Sequence, residues 1–490
     1  MAKIDAQIRS VKTRLALTGT YGVVQCAPAT IPTICKYEHV GKALFSDCCP
    51  GRLQMLMLYL SPLAKFLGPK LAAATLCSPR DKYPYYLKPF GFPLSAFGTE
   101  NHYQHRRRRG ALNPLFCNGK VAQREGLVHQ LVHRLCEYLE QFRVTGKTMP
   151  LSLGYTCLAT DLIVSYVLDE NQQWLDAPEW LPHWRWALRT LSEMVMVSRQ
   201  VTWLLEILKH FPRAWVASSN PGLGLFFELE ERFRCKIDEI QIDRGRGSQR
   251  VETEISKGYT LIDQILDSNL EVEEKTPERI LQEIRSTTAA GIETTSNAPT
   301  VITYHLLDNP DKLQKLQNEL SILEDGGNSE QQVHELGKLP YLTSVILEGL
   351  RLSYGVSTRL QRKSPEQAIQ YKNYCIPPGT PVGMTSVLMH HNETIFPDSC
   401  KFAPERWLDL QERKRLERYL VSFGKGSRRC VGQPLAQTTL LIAIATIFRK
   451  FELQLWGTLK NDIEISHDLF VPRPKNTKSI GLQVRVLKKY

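Results

Sequence analysis

A mainly α fold is expected from the sequence, as one large helical body carrying small β-sheets. Three observations predict it. The chain has 490 residues, of which 42% are hydrophobic, enough for a large core. Its aliphatic runs are mostly helix-length rather than strand-length. No internal repeat or long low-complexity segment divides it, so one body is favoured over the roughly three domains that length alone suggests.

Taken in order, residues 1–50 mix Lys, Thr, Cys and Pro without a period and read as irregular. The most apolar early run, Met55–Leu60, is far short of the about 20 residues a membrane-spanning helix needs, and no signal peptide opens the chain. Residues 1–60 are therefore an irregular segment without a clear anchor, and 61–79 a Pro-rich hinge. His105 to Arg109 opens a helix with Leu112 and Phe116 on its apolar side. Four consecutive arginines there read equally as a solvated basic run or as part of a site, because His105 and Arg109 share a helical face. Residues 125–240 hold helices separated by Pro178, Pro182, Pro212 and Pro221, and 243–258 read as a polar surface loop. A long helix is expected over Pro277–Leu307, stopped by Asn309-Pro310-Asp311. Another spans about 340–353. Residues 367–388 alternate polar and apolar around Ile376-Pro377-Pro378-Gly379, which predicts a small sheet with a tight turn. From Gln433 to Phe448 the pattern is a buried helix.

The chain carries 62 basic and 50 acidic residues, a net charge of +12. Nothing in it resembles a nucleic-acid module. Seven basic residues between Arg413 and Arg429 crowd the approach to Cys430, and read either as a docking face for an acidic electron donor or as a solvated surface. The twelve cysteines form no C-x-x-C pair and no regular framework, which argues against zinc ribbons and secreted disulfide scaffolds and for a reducing compartment.

Three motifs carry chemistry. Phe423 to Gly432 (FGKGSRRCVG) places Cys430 in a glycine-rich loop flanked by arginines, just before a helix. Gly426 and Gly432 are expected to allow backbone conformations and approaches that a Cβ forbids. A thiolate there is favoured by neighbouring positive charge and by the helix N-terminus. Such a thiolate can ligate a haem iron and favour O–O cleavage. Arg428 is placed to meet a haem propionate. In the long helix, Ala290-Gly291-Ile292-Glu293-Thr294 combines small residues, which let a flat cofactor and O2 approach, with a carboxylate and a hydroxyl suited to proton relay. Glu348 and Arg351 sit i,i+3 in an otherwise apolar helix. A buried pair needs further partners, and Arg406 in Pro404-Glu405-Arg406-Trp407 is the candidate third member.

In this order the motifs AGxET, ExxR, PERW and FxxGxRxCxG resemble the cytochrome P450 superfamily, from about residue 80 to the C-terminus. HRRRRGALNPLF, VITYHLL and YLVSFGKGSRRC are similar to fungal enzymes of the trichodiene-oxygenase type, which act in secondary metabolism, commonly on terpenoids. The resemblance implies a P450-like helical body whose N-terminal sheet region is incomplete here, and a haem-binding monooxygenase domain over 80–490. It implies haem b with Cys430 as axial ligand and Phe423, Gly426 and Gly432 shaping its loop. Ala290 and Gly291 then lie beside the haem, and His105, Arg109, Arg362 and Arg428 hold its propionates. Thr294 and Glu293 assist protonation and O–O scission. Glu348, Arg351 and Arg406 form a structural triad, and Val356 and Ser357 face substrate. The implied partners are a hydrophobic small molecule, O2, and NADPH through a flavin reductase.

The implied location is the cytosolic face of the endoplasmic reticulum membrane, or the cytosol if the anchor is absent. The block that joins hinge to body in the family is expected to be missing before residue 80. Pro299, five residues after Thr294, predicts a kink. Two alternatives accompany the monooxygenase reading. One is a haem-thiolate isomerase or dehydratase, and the other a non-catalytic truncated haem protein.

Overall fold

The helix that organises the molecule runs over Pro277–Leu307, with the bounds the sequence predicts. Pro277 occupies its first turn, where a missing N–H costs nothing, and the Thr276 hydroxyl accepts from the Arg279 amide. The structure, a computed structural model, describes residues 80–170, 173–177, 180, 182–201, 203, 210–219, 221–246, 259–323 and 329–490. The expectations for residues 1–79, including the Met55–Leu60 run and the hinge, lie outside these residues. So does most of the polar loop, of which 243–245 instead complete the helix Pro221–Gly245.

Fifteen α-helices and four two-stranded antiparallel sheets occur among the described residues. The long helix packs most extensively on Leu151–Leu168 and next on Pro340–Ser353. Leu151–Leu168 is the one described helix long and apolar enough to cross a membrane, and all of it is buried in the core. The helix expected after the cysteine loop runs Gln433–Lys450 and joins the same core. Pro299 is buried within one continuous helix, which the proline neither ends nor divides.

Two small strand pairings matter for the site. Asp81–Lys82 pairs antiparallel with Arg362–Lys363, setting Lys82 opposite Arg362. The hairpin Ile369–Tyr371 with Tyr374–Ile376 confirms the predicted sheet, but its tight turn lies elsewhere. Lys372, at φ 53°, makes it, while Gly379, at φ 76°, sits in a separate turn that the Thr380 amide closes on the Pro377 carbonyl at 3.3 Å, with its own amide donating to the Ser364 carbonyl at 2.6 Å.

The segment 92–97 is tied to the long helix. Gln282 Oε1 accepts from the Leu94 amide at 2.9 Å and Glu283 Oε2 from the Ala96 amide at 2.9 Å. The Gln282 carboxamide and the Glu283 carboxylate are both buried, so these bonds fix the loop over the cavity described next.

Candidate active site

A cavity of about 1340 Å³ lies between the long helix, the 89–97 segment and the cysteine loop. Cys430 lines it and is exposed to it. The Cys430 amide donates to the Phe423 carbonyl at 2.9 Å, which closes the loop on itself. Gly426 adopts φ +75°, as its predicted role requires. Gly432 does not share that role. Its φ is −81°, and a Cβ there meets no protein atom within 4 Å. The second glycine in the left-handed region is Gly424, at φ +67°, which sequence reasoning passed over. Burial pushes the Cys430 thiol up in pKa. The Gly432 amide, Arg109, Arg429 and the Gln433 amide pull it back toward the thiolate.

Above one side of this loop, four cations and a histidine converge. Lys82, His105, Arg109, Arg362 and Arg428 all line the cavity. Burial lowers Arg362 to about 10, and burial with repulsion from Arg362 lowers Arg428 to about 9, with Asp81 and Glu100 offsetting this only in part. Burial and the charges of Arg428, Lys82, Arg109 and Arg362 drive His105 down to about 2, so its imidazole is neutral. Lys82 was not foreseen, because a lone lysine before Tyr-Pro carries no signal until its strand meets Arg362. It is buried, donates to the Phe97 carbonyl at 2.5 Å and sits 3.8 Å over the Phe97 ring.

Much of the expected propionate fork of Arg428 is engaged by backbone. Its Nη1 donates to the Thr99 carbonyl at 2.7 Å and its Nη2 to Glu100 at 2.7 Å, clamping the cysteine loop to the start of the helix His102–Leu112. Its Nε and the His105 Nδ1 are buried without a hydrogen-bond partner. Arg109 reaches the Asn113 side chain and the Arg429 carbonyl. Of the four arginines in the run, Arg108 is the buried one, tied to Glu274 at 2.6 Å. It serves structure, not the cavity.

Under-balanced positive charge, two orphaned buried nitrogens and a thiol aimed into a large cavity are what a dianionic haem with a thiolate ligand requires. The residues present fit that group.

The triad is assembled as predicted and is larger. Glu348 and Arg351 are fully buried. Arg351 donates to both Glu348 oxygens, at 2.9 and 2.8 Å, and Arg406 Nε reaches Oε1 at 3.2 Å. The Trp407 indole N–H and the Ala403 amide, each at 2.9 Å, complete the carboxylate's shell. Burial alone would raise the Glu348 pKa. Hydrogen bonds and charge from Arg351, then Arg406, outweigh it and hold the group below its ordinary value. His390 relays this anchor. Its Nδ1 meets the Arg351 carbonyl at 2.7 Å and its Nε2 accepts from the Val421 amide at 2.9 Å, just ahead of the cysteine loop. A histidine in Met389-His390-His391 gave no sequence signal of that link.

Ala290, Gly291, Glu293 and Thr294 all line the cavity. The acid and the alcohol do not meet each other. Thr294 donates to the Ala290 carbonyl at 2.8 Å, while Glu293 is ion-paired with Arg473 of the strand Val471–Pro474. Gly291 also has a second reason to be glycine. A Cβ there would lie 2.6 Å from Ile163 Cγ1, so the residue lets Leu151–Leu168 approach. Val356 lines the cavity as expected; Ser357 does not, its hydroxyl bonding Asp468 at 2.8 Å, and Thr358 lines the wall instead.

The fold and this site define an oxidoreductase with a helical haem-type pocket, and comparison with known proteins makes that specific. A family model described as cytochrome P450 matches residues 82–480, and the chain belongs to that family. Cytochrome P450 monooxygenase MO6277 of Ascocoryne sarcoides is 40% identical over 415 residues, covering 83% of this chain and 80% of that protein. Tryptophan 6-hydroxylase fscE of Fusarium equiseti is 33% identical over 490 residues, covering 89% and 94%. A solved cytochrome P450, CYP102L1, superposes with a TM-score of 0.66 at 21% identity, over 86% of this chain and 88% of that one, a likeness of fold. The chain is thus a P450 monooxygenase, a family that works with a haem iron, O2, a redox partner and a small-molecule substrate.

Proposed function

We propose that residues 80–490 form a haem-b domain that inserts one oxygen atom from O2 into a hydrophobic small molecule of fungal secondary metabolism, a terpenoid or related metabolite. The observation that carries the reading is Cys430, held in a closed loop before Gln433–Lys450 and lining the cavity beside Arg109 and Arg429. When bound, the haem supplies the iron at which O2 is activated.

The rest is the work of the protein's own side chains. Cys430 would hold the haem iron through its sulfur, in a loop shaped by Phe423 and Gly426 together with Gly424. Arg109, Arg362 and Arg428, joined by Lys82, would offset the propionate charges, and the neutral imidazole of His105 would hold a propionate by hydrogen bonding. Ala290 and Gly291 form the wall above. Thr294 holds a proton at its hydroxyl, and Glu293, on leaving Arg473 and taking a proton from solvent, resupplies it. Glu348, Arg351 and Arg406 keep the loop in register. Electrons come from NADPH through a flavin reductase docking on the basic face around Arg413–Arg429, at the cytosolic side of the endoplasmic reticulum membrane.

The test begins with the purified protein, reduced and exposed to carbon monoxide. A red-shifted Soret band of thiolate-ligated haem is expected, and Cys430→Ser should abolish it. Folded, haem-loaded protein without that band would overturn the assignment. Product formation that needs no NADPH would instead identify an isomerase or dehydratase.

A further inference from the structure

At the far end of the cavity the wall changes character. Arg213, Arg234 and Arg285 surround one buried carboxylate, Glu230. Arg213 Nη2 and Arg234 Nη2 both reach Oε1, at 3.0 and 3.1 Å, and Arg285 Nη1 lies 3.3 Å from Oε2. Glu278 approaches Arg234 only at 3.7 Å. Both Glu230 oxygens are therefore occupied, and three guanidinium groups face two carboxylates. Among the described residues the cluster carries one uncompensated positive charge, at the edge of the cavity and separate from the cation group around Arg428.

Arg285 is the member best placed to use that charge. It is partly buried, on the cavity wall, and its guanidinium lies 5.1 Å from the Phe92 ring and 5.4 Å from the Phe226 ring. Its Nε is buried with no hydrogen-bond partner. A guanidinium held between aromatic faces with a donor left over is a preformed receptor for a planar carboxylate. Desolvation in this position strengthens such a contact.

The 89–97 segment and the strand end at Phe470 bring further aromatic rings to the cavity. Phe90, Phe97 and Phe470 interlock edge to face, with centroids 4.6, 5.3 and 6.0 Å apart. Arg285 precedes Thr294 by nine residues on one helix, two and a half turns, which sets them about 13.5 Å apart along the axis and on opposite sides of it, both bordering the one cavity. A molecule that reaches from Arg285 to the Thr294 turn therefore spans at least about 13 Å.

We propose that this site selects a monoanionic substrate, an apolar or aromatic body bearing one carboxylate, with the carboxylate on Arg285 and the oxidised end beside Thr294. This deepens the monooxygenase reading above and rests on it for the fate of the bound molecule.

The test uses calorimetric titration of the full-length holoenzyme with 6-phenylhexanoate and with its methyl ester, which removes the charge and adds one methyl group. The carboxylate is expected to bind at least about tenfold tighter than the ester, with a preference that shrinks as salt is raised. Arg285→Gln should erase the preference while leaving ester binding in place. Should that variant fail to fold, Arg213→Gln, at the exposed rim of the cluster, should reduce it severalfold. Equal or weaker binding of the carboxylate, no detectable carboxylate binding, or a preference that survives Arg285→Gln would overturn the proposal. Loss of the preference with an intact carbon monoxide band sinks only the anion site. A retained preference without that band sinks only the monooxygenase reading.

Discussion

Glu348 shows how one side chain decides whether a site can exist. Fully buried, it receives four donors, two of them arginines. Removing its charge strands Arg351 inside the core, and breaking a buried pair in this way costs about 3–5 kcal/mol. Glu348→Gln should lower stability by that amount in denaturant titration, with loss of haem retention. A loss below about 1 kcal/mol would show that the backbone carbonyls on Arg351 suffice. The pair was legible in the sequence because a charged i,i+3 couple in an apolar helix demands compensation. Trp407 and His390, which complete it, were not, since an indole N–H or an imidazole acquires its role only from what folds beside it.

Elements meet where side chains are missing. Gly291 lies on the long helix itself, and Gly349 on Pro340–Ser353, which packs against it. Ile163 of Leu151–Leu168 fills the space at Gly291, and Ile302 of the long helix fills that at Gly349, where an added Cβ would lie 2.1 Å from Cγ1. Glycine inside a helix costs about 1 kcal/mol relative to alanine, so these positions give up propensity for close approach. Gly291→Ala should therefore destabilise the protein by about 1–3 kcal/mol, because overpacking outweighs the propensity gain. Ile163→Ala in the same chain should recover part of that loss. If Gly291→Ala instead raises the denaturation midpoint, the glycine serves the cavity alone. The sequence signalled that this glycine was unusual. Its partner lies on a distant helix and carries no local mark.

Over the whole molecule, buried imidazoles set the response to acid. Burial lowers His105 to about 2, His390 to about 3, and His305 and His391 to about 4, each also influenced by nearby charges. Their folded values lie below the ordinary value near 6.5. The unfolded chain therefore binds more protons as pH falls, and the stability they confer is full above about 6.5 and declines on acidification. Asp161, raised to about 6 by burial, and Glu283, also raised by burial, work the other way below pH 6. Four histidines outweigh two carboxylates. Unfolding at pH 5 should take up about two protons, and stability should fall by up to about 3 kcal/mol per pH unit between 6 and 5. Stability that is flat or rising on acidification in that range would contradict the neutral buried state of these rings.

The sequence by itself determined the helical class, the bounds of the long helix, and the ordered motifs around Cys430, Thr294, Glu348 and Arg406. Those depend on local periodicity and on spacing within short stretches, which the chain carries wherever it folds. Only the tertiary structure decided that Lys82 joins the cation cluster, that Glu293 is held by Arg473 from 180 positions away, that Ser357 turns from the cavity, and that three arginines share Glu230 on its wall. Each is a pairing of charge or volume between segments far apart in the chain. Burial and net charge at such a meeting belong to the assembled surroundings, and no single segment encodes them.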